Sequence, residues 1–174
     1  TGCDSSHGNH LGANHGGGCP GSRIRQLGTE NKKHGEPIPA GNNDVEIRIK
    51  SQLRQWPVQL SLVPVNAPFF ENADLLVTAD CVPFAYPNYH LELLKGKAVL
   101  VGCPKLDDIG YYTEKLTDII RGNNLKSITV AFMEVPCCMG IVRAVEAALR
   151  ESGKDLPFEK VRISLDGAAE KLSR

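Results

Sequence analysis

Apolar positions along this chain follow two different periods, and the switch between them lays out the expected elements. Three short runs are almost wholly apolar: ADLLVTADC over 73–81, KAVLVGCP over 97–104 and SITVAFMEV ahead of Pro136. Runs of this length, rich in Val, Ile and Leu, are the pattern of strands covered on both faces. Between them the period lengthens. Ile109, Tyr112, Leu116 and Ile119 or Ile120 recur at helical spacing ahead of Gly122, and Ile141, Val142, Val145, Ala148 and Leu149 do so between Gly140 and Gly153. Each glycine is a helix stop or start signal.

Weaker patterns fill the remainder. VEIRI over 45–49 alternates like an edge strand or hairpin arm, 51–55 has room for one helical turn before Pro57, and 58–63 reads as a first sheet strand. Residues 66–72 are a connector or the start of a short helix, 89–94 a brief helix ended by Gly96, 161–165 a last strand, and 166–174 a charged tail. Asp107 and Asp108 precede a helix, where capping is their expected role, and His90 is expected at the surface. Trp56, the single tryptophan, is expected to pack on the core.

Strands separated by helix-length connections predict right-handed crossovers. The expected fold is therefore α/β, a three-layer sandwich with a mostly parallel sheet, Rossmann- or flavodoxin-like. An irregular Gly/His-rich N-terminal segment and connector over 1–43 precedes a single α/β domain over 44–174.

A length of 174 residues suits one domain with a core of its own. Twenty basic and twenty acidic side chains leave no net charge, so the composition carries no electrostatic footprint for nucleic acid or an anionic membrane. No run approaches the roughly 18 apolar residues of a membrane span, and TGCDSSHGNH lacks a signal-peptide core. A soluble, cytoplasmic protein is expected. The chain opens on Thr1, which reads as a processed or partial product.

The cysteines change the picture. Cys81, Cys103 and the adjacent pair Cys137 and Cys138 each sit at the end of one of the three apolar runs. If these strands are parallel neighbours, their cysteines emerge along one sheet edge, where open α/β sheets build their sites. A single strand-end cysteine is ordinarily a small buried hydrophobe; three in succession point to a thiolate-ligated centre. Cys19, in GGGCPGS, is a candidate fourth ligand, since glycine lets the backbone come close and Pro20 fixes the next turn. Cys3, His7, His10 and His15 have metal-ligand chemistry, but their spacing fits no standard finger and polar loops carry histidines by chance. Cys138 falls just before a helix N-terminus, which favours a thiolate and predicts a lowered pKa. Adjacent cysteines do not easily point the same way, so one of Cys137 and Cys138 is expected as the ligand, with Cys137 preferred. Soft thiolates suit an iron–sulfur cluster or zinc.

The segments SQLRQWPVQL, ADLLVTADC, VGCPKLDD and MEVPCCMG, with GGGCPGS upstream, resemble the C-terminal domain of a family of iron–sulfur cluster-binding proteins of anaerobes, of 4Fe-4S ferredoxin type. The resemblance spans roughly residues 19–153. It implies a 4Fe-4S cluster, one-electron transfer in anaerobic metabolism, and a redox partner protein or ferredoxin module. Members of the family usually carry an N-terminal two-cluster ferredoxin module; this sequence has no compact cysteine run of that kind. The residues implied are Cys19, Cys81, Cys103, Cys137 and Cys138. Two other classes stand beside this reading: a structural zinc domain, and a thiol-based redox enzyme with Cys138 as nucleophile. A nucleotide site is disfavoured, because GANHGGG does not follow a strand and no strand end reads as G-x-G-x-x-G.

Overall fold

The apolar runs do form the central strands. The computed structural model describes residues 25–26 and 48–172. Two strands form a small ribbon, β1 Arg25–Gln26 and β2 Gln55–Trp56, paired antiparallel. The main sheet contains β3 Asp74–Ala79, β4 Lys97–Gly102, β5 Ser127–Met133, β6 Phe158–Ile163 and β7 Ala169–Leu172, in the spatial order β4-β3-β5-β6-β7. The first four are mutually parallel, and β7 closes one edge antiparallel to β6. Residues Leu75 to Ala79 are buried without a break, so β3 is covered on both faces, which is why its sequence does not alternate.

Among the described residues, three α-helices accompany the sheet: α1 Val82–Ala85, α2 Ile109–Gly122 and α3 Met139–Ser152. A π-helical stretch at Tyr89–Leu94 follows α1. In α2 the periodic residues Tyr112, Leu116, Ile119 and Ile120 are buried, and Asp108 caps the start by accepting from the Tyr111 N–H at 3.1 Å. Helix α3 buries Ile141, Val142, Val145 and Ala148 and ends on Gly153, whose φ of 71° is the left-handed conformation of a helix C-cap. Step direction separates the layers. The chain moves outward from β3 to β4, then back past β3 to β5 and on to β6, so right-handed crossovers put residues 82–94 on one face and α2 with α3 on the other. Helices α2 and α3 pack against each other. The result is the three-layer α/β fold that the hydrophobic pattern predicts.

Differences from the sequence pattern lie at the sheet margins. Residues 51–55 are not helical, and 58–63 contributes no strand: it makes one parallel bridge, Gln59 to Val101, before turning away. Polar chemistry replaces the missing strand. The Gln55 side chain donates to the Val99 carbonyl and accepts from the Val99 N–H, both at 2.8 Å. Two residues on, Val101 N–H bonds Val58 and Val101 carbonyl receives Leu60 N–H, both at 2.9 Å. Trp56 stays 37% exposed rather than entering the core. His90 is half-buried, its Nδ1 accepting from the Gln52 N–H at 3.2 Å. Of the 45–49 segment, only residues 48 and 49 are described, and they are not strand. The charged tail forms β7, joined to β6 by a turn at Ser164–Gly167 in which Gly167 has φ 87°. Asp166-Gly167 is a hairpin-turn signal visible in the sequence.

Candidate functional site

Strands β3 and β5 are neighbours whose following connections leave toward opposite faces of the sheet. Their carboxyl ends therefore form the switch point of the topology, where a crevice opens in folds of this class. Cys81 lies two residues beyond β3, as the residue before α1, and is exposed. Cys103 follows β4 directly and is half-buried. Cys137 and Cys138 lie in a 3₁₀ turn, Pro136–Cys138, between β5 and α3. Since paired strands lie roughly 4.8 Å apart, the three strand ends span only about 10 Å.

Local chemistry holds each cysteine in place. The Cys103 carbonyl accepts from Leu106 and Asp107 N–H groups at 3.3 and 3.0 Å, and its own N–H donates to Asp107 Oδ2 at 3.3 Å. The loop is pulled inward by a missing side chain. A Cβ on Gly140, in the first turn of α3, would stand 2.7 Å from the Pro104 Cβ, so the residue after Cys103 rests directly on the helix that follows Cys138. The turn at 136–138 parts the two adjacent cysteines. Cys137 is exposed, whereas Cys138 is 6% exposed, counts among the core residues, and has its N–H bonded to the Val135 carbonyl at 3.1 Å.

The sulfurs of this edge influence one another. Burial pushes the Cys138 thiol up; a backbone hydrogen bond from Met133 acts the other way, and the charges of Cys137 and Cys81 with a Cys137 side-chain hydrogen bond push it further up. This corrects the expectation of a lowered pKa. Desolvation of the buried thiol is the largest cause of the rise. Cys81, Cys137 and Cys138 thus share one neighbourhood, and Cys103 is held beside it through Pro104. Among the described residues, no three His, Cys, Asp or Glu side chains stand as a ready-made metal site. Cys19, Cys3, His7, His10 and His15 lie outside the described residues.

Residues 67–173 match a known family of sequences, the Rossmann-like domain. The chain belongs to this family. It is also 33% identical, over 123 residues, to an uncharacterized protein of Archaeoglobus fulgidus, an alignment covering 71% of this chain and 86% of the relative. No solved structure matches. The family describes the fold around the cysteines and supplies no chemistry for them.

This Rossmann-like domain carries polar groups at the same edge that the sequence reading did not join to the cysteines. Tyr112 donates its hydroxyl hydrogen to Asp107 Oδ2 and receives the Gln59 amide at 3.3 Å. Its ring lies on Gly102, where a Cβ would come 2.6 Å from Cε2. Burial first, then the Asp107 charge, raises the pKa of Asp80, which precedes Cys81. Asp108 takes the capping role expected of both aspartates, and Asp107 serves Cys103 and Tyr112 instead. The Asp107 to Tyr112 spacing is a bare i, i+5 and signals nothing in the sequence. Apolar side chains also stand out around this edge. Phe84 after β3 and Leu106 after β4 are 91% and 82% exposed, and Met139 after β5 is partly exposed. Among the described residues no helix is long and apolar enough to cross a membrane.

Proposed function

We propose that this Rossmann-like domain binds an iron–sulfur cluster, of 4Fe-4S type, at the cysteine edge and works as a one-electron carrier of anaerobic metabolism in the cytoplasm. The observation that carries the reading is that three adjacent parallel strands deliver Cys81, Cys103 and Cys137–Cys138 to one switch point. The donor set fits the group in its chemistry: soft thiols in a row about 10 Å long, two of them exposed. A bound cluster would supply reversible one-electron chemistry. The chain itself would hold the sulfurs, exclude water by the core beneath them, and fix the β4 loop through Pro104 on Gly140.

Cys19 is the fourth ligand in this proposal. The direction of β1 supports it. Strand β1 is antiparallel to β2, and β2 leads into the segment that bridges parallel to β4, so β1 runs away from the cysteine edge. Six residue steps separate Cys19 from Arg25, a reach of at most about 20 Å. Electrons would be exchanged with a redox partner protein or a ferredoxin module. Zinc at the same thiols is the competing reading, since the donor set suits both metals. Burial of the Cys138 thiol and its raised pKa support the cluster reading over a nucleophilic Cys138.

Anaerobic reconstitution of the full chain with iron and sulfide tests the proposal. About four irons and matching sulfide per chain, with broad visible absorption, is the expected result. Cys81→Ser, Cys103→Ser and Cys137→Ser should each cost at least the roughly 10–100-fold in metal affinity that loss of an outer partner costs. Retention of stoichiometric zinc with no iron or sulfide would overturn the cluster.

A further inference from the structure

Large apolar side chains left in solvent are ordinary when scattered and informative when they gather. Among the described residues the three most exposed are Phe84, Leu106 and Leu165, at 91%, 82% and 70%; every other one is at 47% or below. All three stand at the carboxyl ends of parallel strands: Phe84 after β3, Leu106 after β4 and Leu165 after β6. Met139, 39% exposed, adds one after β5. The four loops make one surface. A Cβ on Gly167 would lie 2.9 Å from the Ala85 carbonyl oxygen, so the turn that carries Leu165 rests on the helix that carries Phe84. Glu134 ties the end of β5 to the same turn by accepting from the Leu165 N–H at 2.8 Å. Toward the other face, the Pro104–Gly140 contact joins the Leu106 loop to the helix that begins with Met139. We propose that this end of the sheet is a docking surface for a partner protein, which it receives as an amphipathic helix bearing lysines or arginines beside its apolar face.

Charge selects the partner. The segments that leave β3, β4, β5 and β6 (80–81, 103–108, 134–138 and 164–168) carry five carboxylates, Asp80, Asp107, Asp108, Glu134 and Asp166, against one cation, Lys105. The segments that lead into the same strands (71–73, 95–96, 123–126 and 153–157) carry Lys95, Lys126 and Lys154 against Glu71 and Asp155. A chain with no net charge is thus divided along the sheet axis. Hydrogen bonds leave the acidic charge uncancelled: Asp107, Asp108, Glu134 and Asp166 accept from the Cys103 N–H, the Tyr111 N–H, the Leu165 N–H and the Ser164 hydroxyl, none of which is a cation. An apolar patch bordered by carboxylates attracts a basic apolar surface and repels an anionic membrane. A second copy seated on this end about a two-fold axis would set carboxylates against carboxylates. The size suits a helix. Four strand ends at a spacing of roughly 4.8 Å extend over about 14 Å, close to three helical turns of about 5.4 Å each. Over that length a helix presents anchors at i, i+3 or i+4, and i+7. Such a partner covers the exposed thiols Cys81 and Cys137, which lie in the same loops.

The test uses the full chain without added iron, so its outcome is separate from that of the cluster proposal. A fluorescently labelled amphipathic helical peptide of leucine and lysine is titrated with the protein and followed by anisotropy, beside a peptide in which every lysine is replaced by glutamate. Binding of the lysine peptide alone is expected, weakening as salt rises from about 50 mM to about 300 mM. Phe84→Ser with Leu106→Ser should weaken it at least about tenfold, as loss of central anchors does. Leu62→Ser with Leu91→Ser, two exposed leucines outside these loops, should leave it unchanged. Glu134→Gln keeps an acceptor for the Leu165 N–H and removes the charge; it should weaken binding and flatten the salt dependence. No binding of the lysine peptide, equal binding of the glutamate peptide, or an equal loss in the Leu62 and Leu91 pair would overturn the proposal. So would self-association of the wild type in sedimentation velocity that Phe84→Ser with Leu106→Ser abolishes, which would make a second copy the occupant. If that pair melts below wild type, Leu165→Ser and Glu134→Gln decide in its place.

Discussion

The two ends of the parallel sheet are built from the same four strands and could hardly differ more. At the amino ends, side-chain hydrogen bonds tie strands and the loops beside them together. Ser127 donates to Asp74 at 2.6 Å, Asn124 to Asn72 at 2.8 Å, Asn123 to the Val65 carbonyl at 2.7 Å, and Lys97 to Thr129 at 3.0 Å. At the carboxyl ends the corresponding positions hold exposed or half-exposed thiols, protruding Phe84 and Leu106, and a carboxyl whose pKa burial raises. Side-chain hydrogen bonds run from strand to strand at one end, and exposed thiols and apolar side chains collect at the other. Strand polarity is what separates them: in a parallel sheet, all the loops that leave strands share one end.

Matched substitutions at the two ends sharpen this contrast. Gly140→Ala should give the largest effect on folding. Its Cβ meets a proline ring 2.7 Å away, an overpacking cost of about 1–3 kcal/mol that exceeds the helix-propensity gain of about 1 kcal/mol. Gly122→Ala, at the far end of α2, meets nothing within 4 Å and should be neutral or stabilising. Thermal melting compares the pair. Gly140→Ala should also weaken metal loading by moving Cys103 from Cys137, while Gly122→Ala leaves loading alone; equal loading in both would break the link between Pro104 and the site. Asp108→Ala comes next. It removes the cap of α2, a loss of about 1 kcal/mol, which for a chain of this size is about 2–4 °C in Tm.

The smallest effect depends on pH. The folded-state pKa of Asp80 lies above its ordinary 3.8, so the native chain holds this proton more tightly than the unfolded chain does. The stability that the proton contributes is complete at low pH and is lost as pH rises through the raised folded value. Asp80→Asn should therefore melt above wild type at neutral pH, with the gap closing near pH 4. A gap that is constant with pH would mean that Asp80 acts through its shape rather than its charge.

How much of this was readable in advance depends on where the information lies. The central strands and both long helices declared themselves, since unbroken burial and a 3.6-residue period leave direct marks on composition. So did the arrival of cysteines at strand ends. The margins did not. Residues 58–63 look like a strand because they are apolar, yet one bridge to Val101 is all they make, and Gln55 does the pairing that a preceding strand residue would do. Asp166-Gly167 carried a hairpin signal that the surrounding charges obscured. In the site, the helix N-terminus after Cys138 can be read from sequence, while the burial that raises its thiol pKa cannot. The Tyr112–Asp107 bond and the Pro104–Gly140 contact join residues whose spacing has no pattern; they exist only once the layers have packed.

Gln55 has a consequence for how copies of this molecule meet. An outer strand ordinarily displays a row of backbone donors and acceptors that another chain can claim. Here the amide of one side chain occupies both groups of Val99, and the backbone of 58–60 occupies those of Val101. The opposite border is β7, four residues long, with Glu170 and Lys171 committed to ion pairs across to β6. Sheet growth by addition of a foreign strand is thus refused on one flank by a glutamine acting as a surrogate backbone and on the other by brevity and charge.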